Sequence, residues 1–279
     1  MPTGQKERQE KKMKKKIGFI GLGNMASAII GGLLAKKMVK PEDVFGYDKS
    51  PAACEKAKTG FNITIVTDEK EAAQKADILF LAVKPNVLSE VLPLVGSVIK
   101  KTTLIISIAA GKSLAYLEEN LGRSDCKIVR CMPNTPALVL EGCTGACSNK
   151  NVTNKEMDMA MEVLGAFGRA SVVPEKLMDA VVGISGSSPA YVFMFIEAMA
   201  DAAVVAGMPR AQAYEFCAQA VLGSAKLLLE TGKHPGELKD MVCSPAGTTI
   251  EAVKVLEEKG FRAAVMDATL ACIEKSKNI

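Results

Sequence analysis

Short apolar runs alternate with amphipathic stretches over residues 16–173. The first run, 16–20, reads as a buried strand. It leads into Gly21-x-Gly23-x-x-Ala26, after which Ala26, Ile29, Ile30, Leu33 and Leu34 keep the i, i+3, i+4, i+7, i+8 spacing of one helix face. Further strands are predicted over 43–47, 63–66 (weakly), 78–83, 103–109, 127–132, 144–148 and 170–173, and helices over 69–76, 87–95, 113–121 and 154–167. The runs 78–83 and 103–109 are continuously apolar, as in strands covered on both faces. Alternation of this kind implies a mainly parallel, doubly wound α/β sheet.

The pattern changes near Pro174, beyond which only helices are predicted. Ser188-Pro189 reads as an N-cap followed by proline at the first helical position. The helix it opens is apolar on most sides, so it must be buried in a large core or against another subunit. Gly207 and Pro209 stop it, and a long helix follows from Arg210 to Leu229. After a break at Gly232 and Pro235, a short helix over 236–241 precedes the loop 244–249, and helices over 250–259 and 261–276 complete the chain. The domain reading is therefore a disordered basic extension over 1–13, a dinucleotide-binding domain over 14–173 and a helical domain over 174–279.

Charge changes this picture little. Residues 1–16 hold seven Lys/Arg against two Glu, a local +5, so the rest of the chain carries −1 of the +4 total. The tail reads as a solvated extension rather than a nucleic-acid contact. Met13-Lys-Lys-Lys-Ile itself reads as a start, making residues 1–12 an upstream extension. Hydrophobic content of 48% with 24% charged residues is that of a soluble globular chain. No secretory leader is read, and the apolar run 190–207 is interrupted by Glu197 and Asp201, so no membrane partner is expected and the chain is placed in the cytoplasm. The eight cysteines are scattered, with Cys143-x-x-x-Cys147 the nearest to a pair, and His234 is the single histidine. No metal site is expected, and the thiols read as reduced and structural.

The glycine motif carries the clearest chemistry. Gly21 permits a tight turn, Gly23 lets backbone approach a pyrophosphate, and Ala26 keeps helix close to strand. The pyrophosphate would rest on N–H groups at the helix N-terminus. Asp48 ends the second strand, where an acid accepts ribose hydroxyls and favours NAD, while Lys49 and Ser50 offer to receive a 2′-phosphate and favour NADP. The two signals conflict. Lys84-Pro85 ends the fourth strand at the ligand-binding edge, although Lys84 also fits a solvated surface lysine. Asn134 ends the sixth strand on the same edge. The loop 244–249 offers small residues and two hydroxyls before a helix. Its backbone can hold a carboxylate, and Thr248 or Thr249 can cap the helix or face a site. His234 lies in a proline turn and reads as structural. No G-x-S-x-G elbow is present, since Gly186-Ser187-Ser188 is a helix approach. Hydride transfer needs none of these, only a cofactor, a positioned acceptor and a proton source.

Taken together, these motifs resemble the pyrroline-5-carboxylate reductase family, across nearly the whole chain after residue 13. The resemblance rests on IGFIGLGNMASAI from Ile17, AVKP at 82–85, SIAAG at 107–111, VRCMPNTPA at 129–137, SGSSPAYVF from Ser185 and HPGELKDMVCSPAGTTI ending at Ile250. It implies an α/β Rossmann-type N-terminal domain with an all-α C-terminal dimerisation domain, active sites built partly from a partner copy, and dimers that assemble further into rings. It further implies that the chain reduces 1-pyrroline-5-carboxylate to L-proline with NADPH or NADH. Carried over by position, Gly21, Gly23, Asn24 and Met25 would lie in the pyrophosphate loop, with Asp48 and Lys49 on the adenosine side. Ala82, Val83, Lys84 and Pro85 would line the nicotinamide ribose, and Met132 and Asn134 would approach the nicotinamide. Ser187, Ser244, Ala246, Gly247 and Thr248 would contact substrate, and Thr249 would hydrogen-bond the ring nitrogen as the catalytic residue. The chain departs from the family pattern at Ser188, where SGSGPAY is usual, and at Ala246, where SPGG is usual. A 3-hydroxyacid or phosphogluconate-type dehydrogenase is the rival enzyme reading, but it wants a lysine acid/base that 189–207 lacks. A cofactor-binding protein without turnover is the rival outside enzymes, and the SPAGTT loop disfavours it.

Overall fold

The computed structural model describes residues 13–278. In chain order the first elements are β1 (Ile17–Ile20), α1 (Asn24–Ala35), β2 (Val44–Tyr47), α2 (Pro51–Phe61), β3 (Thr64–Ile65), α3 (Glu69–Lys75), β4 (Ile78–Leu81), α4 (Leu88–Gly96), β5 (Leu104–Ser107) and α5 (Leu114–Leu121). There follow β6 (Lys127–Met132), β7 (Gly142–Ser148), α6 (Asn154–Leu164), β8 (Gly168–Val172) and the short α7 (Met178–Val181), which runs into a π-turn over Val182–Gly186. The remaining helices are α8 (Ser188–Val205), α9 (Arg210–Thr231), α10 (Pro235–Val242), α11 (Thr248–Glu258) and α12 (Phe261–Lys277).

The strands form one sheet in the order β3-β2-β1-β4-β5-β6-β7-β8. All neighbours are parallel except β6 and β7. The order reverses direction beside β1, which creates the crevice at the carboxyl ends of β1 and β4 where open α/β sheets bind ligands. Alternating residues of the central strands feed two cores. Ile17, Phe19, Phe80 and Ile106 pack with Ile29, Ile30 and Leu33 of α1 on one face, while Ile20, Leu79, Leu81 and Ile105 pack with Val91, Leu92 and Val95 of α4 on the other. This two-sided burial explains the unbroken apolar runs. The Phe19 and Phe80 rings stack across β1 and β4 at 4.8 Å between centroids.

The chain divides into two compact units, one ending at Gly186 but regaining the chain end from Ile273, the other Ser187–Cys272. Helical structure does replace strands after residue 174, but α7 still packs on the sheet. Met178 is buried in its core, and Val181, also buried, lies directly against Gly145 of β7. Met13, assigned above to the extension, donates its N–H to the Met38 carbonyl at 2.8 Å and packs on the core. The rest of that segment, 1–12, lies outside the described residues. α2 was not expected from the apolar pattern, because Ala57 is its one buried residue. Its start signal is nevertheless present, with Ser50 capping the Ala53 N–H and Pro51 in the first turn.

In the second unit the apolar surface is largely uncovered. Of α8 only Ala200 is buried, while Phe193 is 64% and Met194 70% exposed. Phe216, Leu222, Met266 and Leu270 on α9 and α12 are exposed as well. Within this single chain, α8 is therefore not the core helix that its composition demands.

Candidate active site

The glycine loop joins β1 to α1 in a conformation only glycine suits. Gly21 has φ +95°, and a Cβ there would stand 2.6 Å from the Ala82 carbonyl oxygen. Its N–H donates to the Tyr47 carbonyl at 2.8 Å, which ties the loop to the end of β2. Gly23 is the N-cap of α1, in extended geometry, with no side chain capping the helix. A Cβ on Gly23 would meet no protein atom within 4 Å, so the space in front of the helix start is open. Asn24 and Met25 occupy the first two helical positions, and Ala26 is buried against the core. An uncapped helix start behind an open glycine is a cradle for a phosphate group.

A cavity of about 250 Å³ extends from this loop along the sheet edge, lined by Gly21, Gly23, Tyr47, Asp48, Lys49 and Glu69, with Ala82, Val83, Lys84, Val87 and Val91 opposite. It lies where open α/β sheets take a nucleotide, at the carboxyl ends of the strands. Asp48 is fixed within it. One carboxylate oxygen accepts the Leu22 N–H and the other the Ser50 N–H, each at 2.8 Å. Lys49 pairs with Glu90 of α4 at 3.1 Å, an exposed ion pair. Ser50, one of the groups expected to receive a 2′-phosphate, instead caps α2 through its hydroxyl at 3.3 Å. Burial, then the charge of Glu69, pushes the Tyr47 phenol above its ordinary pKa. Glu69, which is only 9% exposed, carried no signal in the sequence because it sits in a run of charged residues.

The strand ends bring Ala82, Val83, Lys84 and Pro85 together after β4, with Lys84 exposed and the others half-buried. Asn134, after β6, is buried and bonded on both sides of its amide. Its Nδ2 donates to the Ser185 carbonyl at 3.0 Å, and its Oδ1 accepts the Cys143 N–H at 2.8 Å. It pins the start of β7 and the π-turn to the end of β6, so its amide acts as a strut. Met132 packs beneath that turn, its Cε 2.9 Å from the place a Cβ on Gly186 would take.

In the second unit Ser187, not Ser188, is the N-cap residue of α8, and its side chain makes no capping bond. Ser188 is already helical, because the preceding π-turn continues almost directly into the helix. The Ser187 hydroxyl accepts from the Cys272 thiol at 3.2 Å. The Tyr191 phenol is held above its usual pKa first by its hydrogen bond with Cys272, then by burial. His234 caps α10, its Nδ1 accepting the Gly236 N–H at 3.1 Å.

The loop before α11 turns through Ser244, whose carbonyl accepts the Gly247 N–H at 3.0 Å. Ala246 sits in the left-handed region at φ +55°, a conformation that costs a residue with a Cβ about 1–2 kcal/mol. A Cβ on Gly247 would lie 2.3 Å from the Ser244 hydroxyl, so only glycine fits with that hydroxyl in place. The helix begins at Thr248, two residues earlier than its apolar pattern predicts. Gly247 is its N-cap and no side chain caps it. Neither threonine is therefore the cap. Both stand in the first turn, beside N–H groups that no side chain satisfies.

Comparison with known proteins follows the same division. A family model described as pyrroline-5-carboxylate reductase dimerisation matches residues 175–279, and one described as NADP oxidoreductase, coenzyme F420-dependent, matches residues 16–111. The chain is 56% identical to the pyrroline-5-carboxylate reductase of Escherichia coli over 96% of its own length and 99% of the relative's. It is 47% identical to that of Methanosarcina acetivorans, over 95% and 97%. Among solved structures, Plasmodium falciparum pyrroline carboxylate reductase with NADP bound superposes with a TM-score of 0.86 at 35% identity, covering 96% of this chain and 99% of that one.

Proposed function

The chain belongs to the pyrroline-5-carboxylate reductase family, and from that premise we propose that it reduces the C=N bond of 1-pyrroline-5-carboxylate to give L-proline, using NADH or NADPH. The bound nicotinamide supplies a hydride to the imine carbon. The protein's own work is binding and orientation. Gly21, Gly23, Asn24 and Met25 hold the pyrophosphate on the open start of α1. Asp48 and Lys49 face the adenosine, and Ala82, Val83, Lys84 and Pro85 the nicotinamide ribose. Met132 shapes the nicotinamide side, held in place by the Asn134 strut.

The observation that carries the substrate reading is the uncapped start of α11. Ser244, Ala246 and Thr248 offer backbone N–H groups that suit a carboxylate, Gly247 closes the turn through its own N–H to the Ser244 carbonyl, and the Thr249 hydroxyl stands one position on from Thr248, suited to the ring nitrogen. An imine protonated on that nitrogen is the better hydride acceptor, and Thr249 stabilises the protonated form by accepting its N–H. Fixing the carboxylate and the nitrogen fixes the face of the imine presented for reduction, so most of the acceleration comes from orientation and electrostatics. No ionisable catalytic side chain is required.

The second unit serves self-association, as its dimerisation-family match supports. The segment Glu175–Val205 is long and apolar enough to cross a membrane by length and composition alone. We assign its exposed apolar residues instead to a second copy of the chain in a dimer, with rings as a higher assembly. The enzyme acts in the cytoplasm. Replacing Thr249 with alanine tests the site. Turnover is expected to fall by about tenfold or more while the Kd for NADH holds, since a hydrogen bond aimed at the charge of the reacting group is worth about 10²–10³ in the strongest cases. Equal turnover would remove Thr249 from the mechanism.

A further inference from the structure

We propose that the adenosine side of the cavity selects the 2′-hydroxyl of NADH over the 2′-phosphate of NADPH, with Asp48, Glu69 and Glu90 as the discriminating residues. The inference rests on the cofactor reading above and goes beyond it by choosing between the two cofactors. The groups that would welcome a phosphate each have another partner, and Ser50 lies outside the cavity lining. The Ser50 hydroxyl accepts the Ala53 N–H as the cap of α2. The Lys49 ammonium is held by Glu90 at 3.1 Å, reaching from the end of β2 to α4.

Two of the carboxylates, Asp48 and Glu69, line the cavity. Asp48 lines it with both oxygens anchored by backbone N–H groups, Leu22 on one and Ser50 on the other. Each oxygen keeps a second acceptor position, so the fixed anion is ready to take a pair of ribose hydroxyls. Glu69 lines the same cavity and is buried, and its charge reaches the neighbouring Tyr47 phenol. Glu90 stands at the rim through Lys49, which lines the cavity. A 2′-phosphate adds close to two negative charges. It would meet Asp48 and Glu69 directly, and could recruit Lys49 only by leaving Glu90 unpaired beside it. A 2′-hydroxyl meets an acceptor instead. Lys84 is the remaining cation of the cavity wall. It follows β4, whereas Asp48 and Lys49 follow β2.

The test measures Kd for NADH and for NADPH by nicotinamide fluorescence in the full-length protein and in two variants, so turnover is not the readout. The wild type is expected to bind NADH at least about tenfold more tightly, since like-charge encounters cost at least that factor. Glu90→Gln releases Lys49 and removes one repelling charge, and should narrow the NADPH-to-NADH Kd ratio by about fivefold. Asp48→Asn should narrow it further while weakening NADH. If that variant loses its fold, shown by its Tm, the exposed Glu90 variant decides the matter alone. NADPH binding as tightly as NADH in the wild type would overturn the proposal, as would an unchanged ratio in Glu90→Gln. Binding of neither dinucleotide would overturn the cofactor reading beneath it, a distinguishable result.

Discussion

Gly23→Ala separates the glycine loop's structural role from its binding role. At Gly23 the backbone is extended, with φ −72° and ψ −170°, which alanine adopts freely. The added methyl meets no protein atom within 4 Å. The remaining cost is a poorer N-cap, about 0.5–1.5 kcal/mol, offset by about 0.4–1 kcal/mol of lost freedom in the unfolded chain. The net change is within about 1 kcal/mol, or about 2–4 °C in Tm. The same methyl fills the cradle that a pyrophosphate needs. Overpacking a close contact costs about 1–3 kcal/mol, so the Kd for NADH should rise about 5–150-fold. Gly21→Ala is the contrast, because there φ is +95° and the methyl would lie 2.6 Å from a backbone oxygen that cannot move aside. That variant should lose upward of about 3 kcal/mol of stability. Calorimetric Tm and a fluorescence titration on both variants read the two effects apart. A Gly23→Ala protein with native Tm and native NADH affinity would refute the placement of the pyrophosphate.

The remaining predictions concern the strut, the interface and the buried thiols. Asn134→Ala leaves the Cys143 N–H and the Ser185 carbonyl without partners, and should cost about 2–5 kcal/mol in urea unfolding before any effect on turnover is considered. Phe193→Asp puts a charge on the exposed apolar face of α8 and should yield monomers in light scattering, against dimers or larger for the wild type. Burial pushes the Cys131 thiol far up, and burial followed by the Glu175 charge pushes Cys147 up to about 11. Both folded values exceed the unfolded one near 8.5, so the unfolded chain ionises first. Stability should hold below about pH 8.5 and fall as pH rises through about 11, and Cys147→Ala should flatten that slope in a Tm series.

The sheet was legible because its strands are buried on both faces and so written as continuous apolar runs, β4 and β5 most plainly. The glycine loop was legible because Gly21 answers a steric demand of the fold and Gly23 follows it at the spacing that leaves a helix start open. α2 was missed because a helix burying only Ala57 has almost no apolar face to read, although Ser50-Pro51 announced its start. The second compact unit begins at Ser187, later than the change of pattern at Pro174, for a similar reason. Helical periodicity resumes after Pro174, but whether Met178 and Val181 pack on the sheet or away from it is a tertiary choice. In the site, the sequence offered Asp48, Lys49 and Ser50 as rival signals, and hydrogen bonds to Leu22, Glu90 and Ala53 decide what each is free to do. The family resemblance places Asn134 by the nicotinamide, whereas its structural bonds to Ser185 and Cys143 are tertiary contacts that its place at a strand end does not announce. The start of α11 was read two residues late because Thr248 and Thr249 break the apolar period that marks the rest of that helix.

The most direct test of the central claim follows the hydride itself. The enzyme is supplied with 1-pyrroline-5-carboxylate and NADH deuterated at C4 of the nicotinamide, and the product is read by mass spectrometry and NMR. L-Proline carrying one deuterium on the former imine carbon, formed in step with the loss of nicotinamide absorbance, is the predicted result. Bound NADH with no proline formed, or proline without the label, would contradict the account.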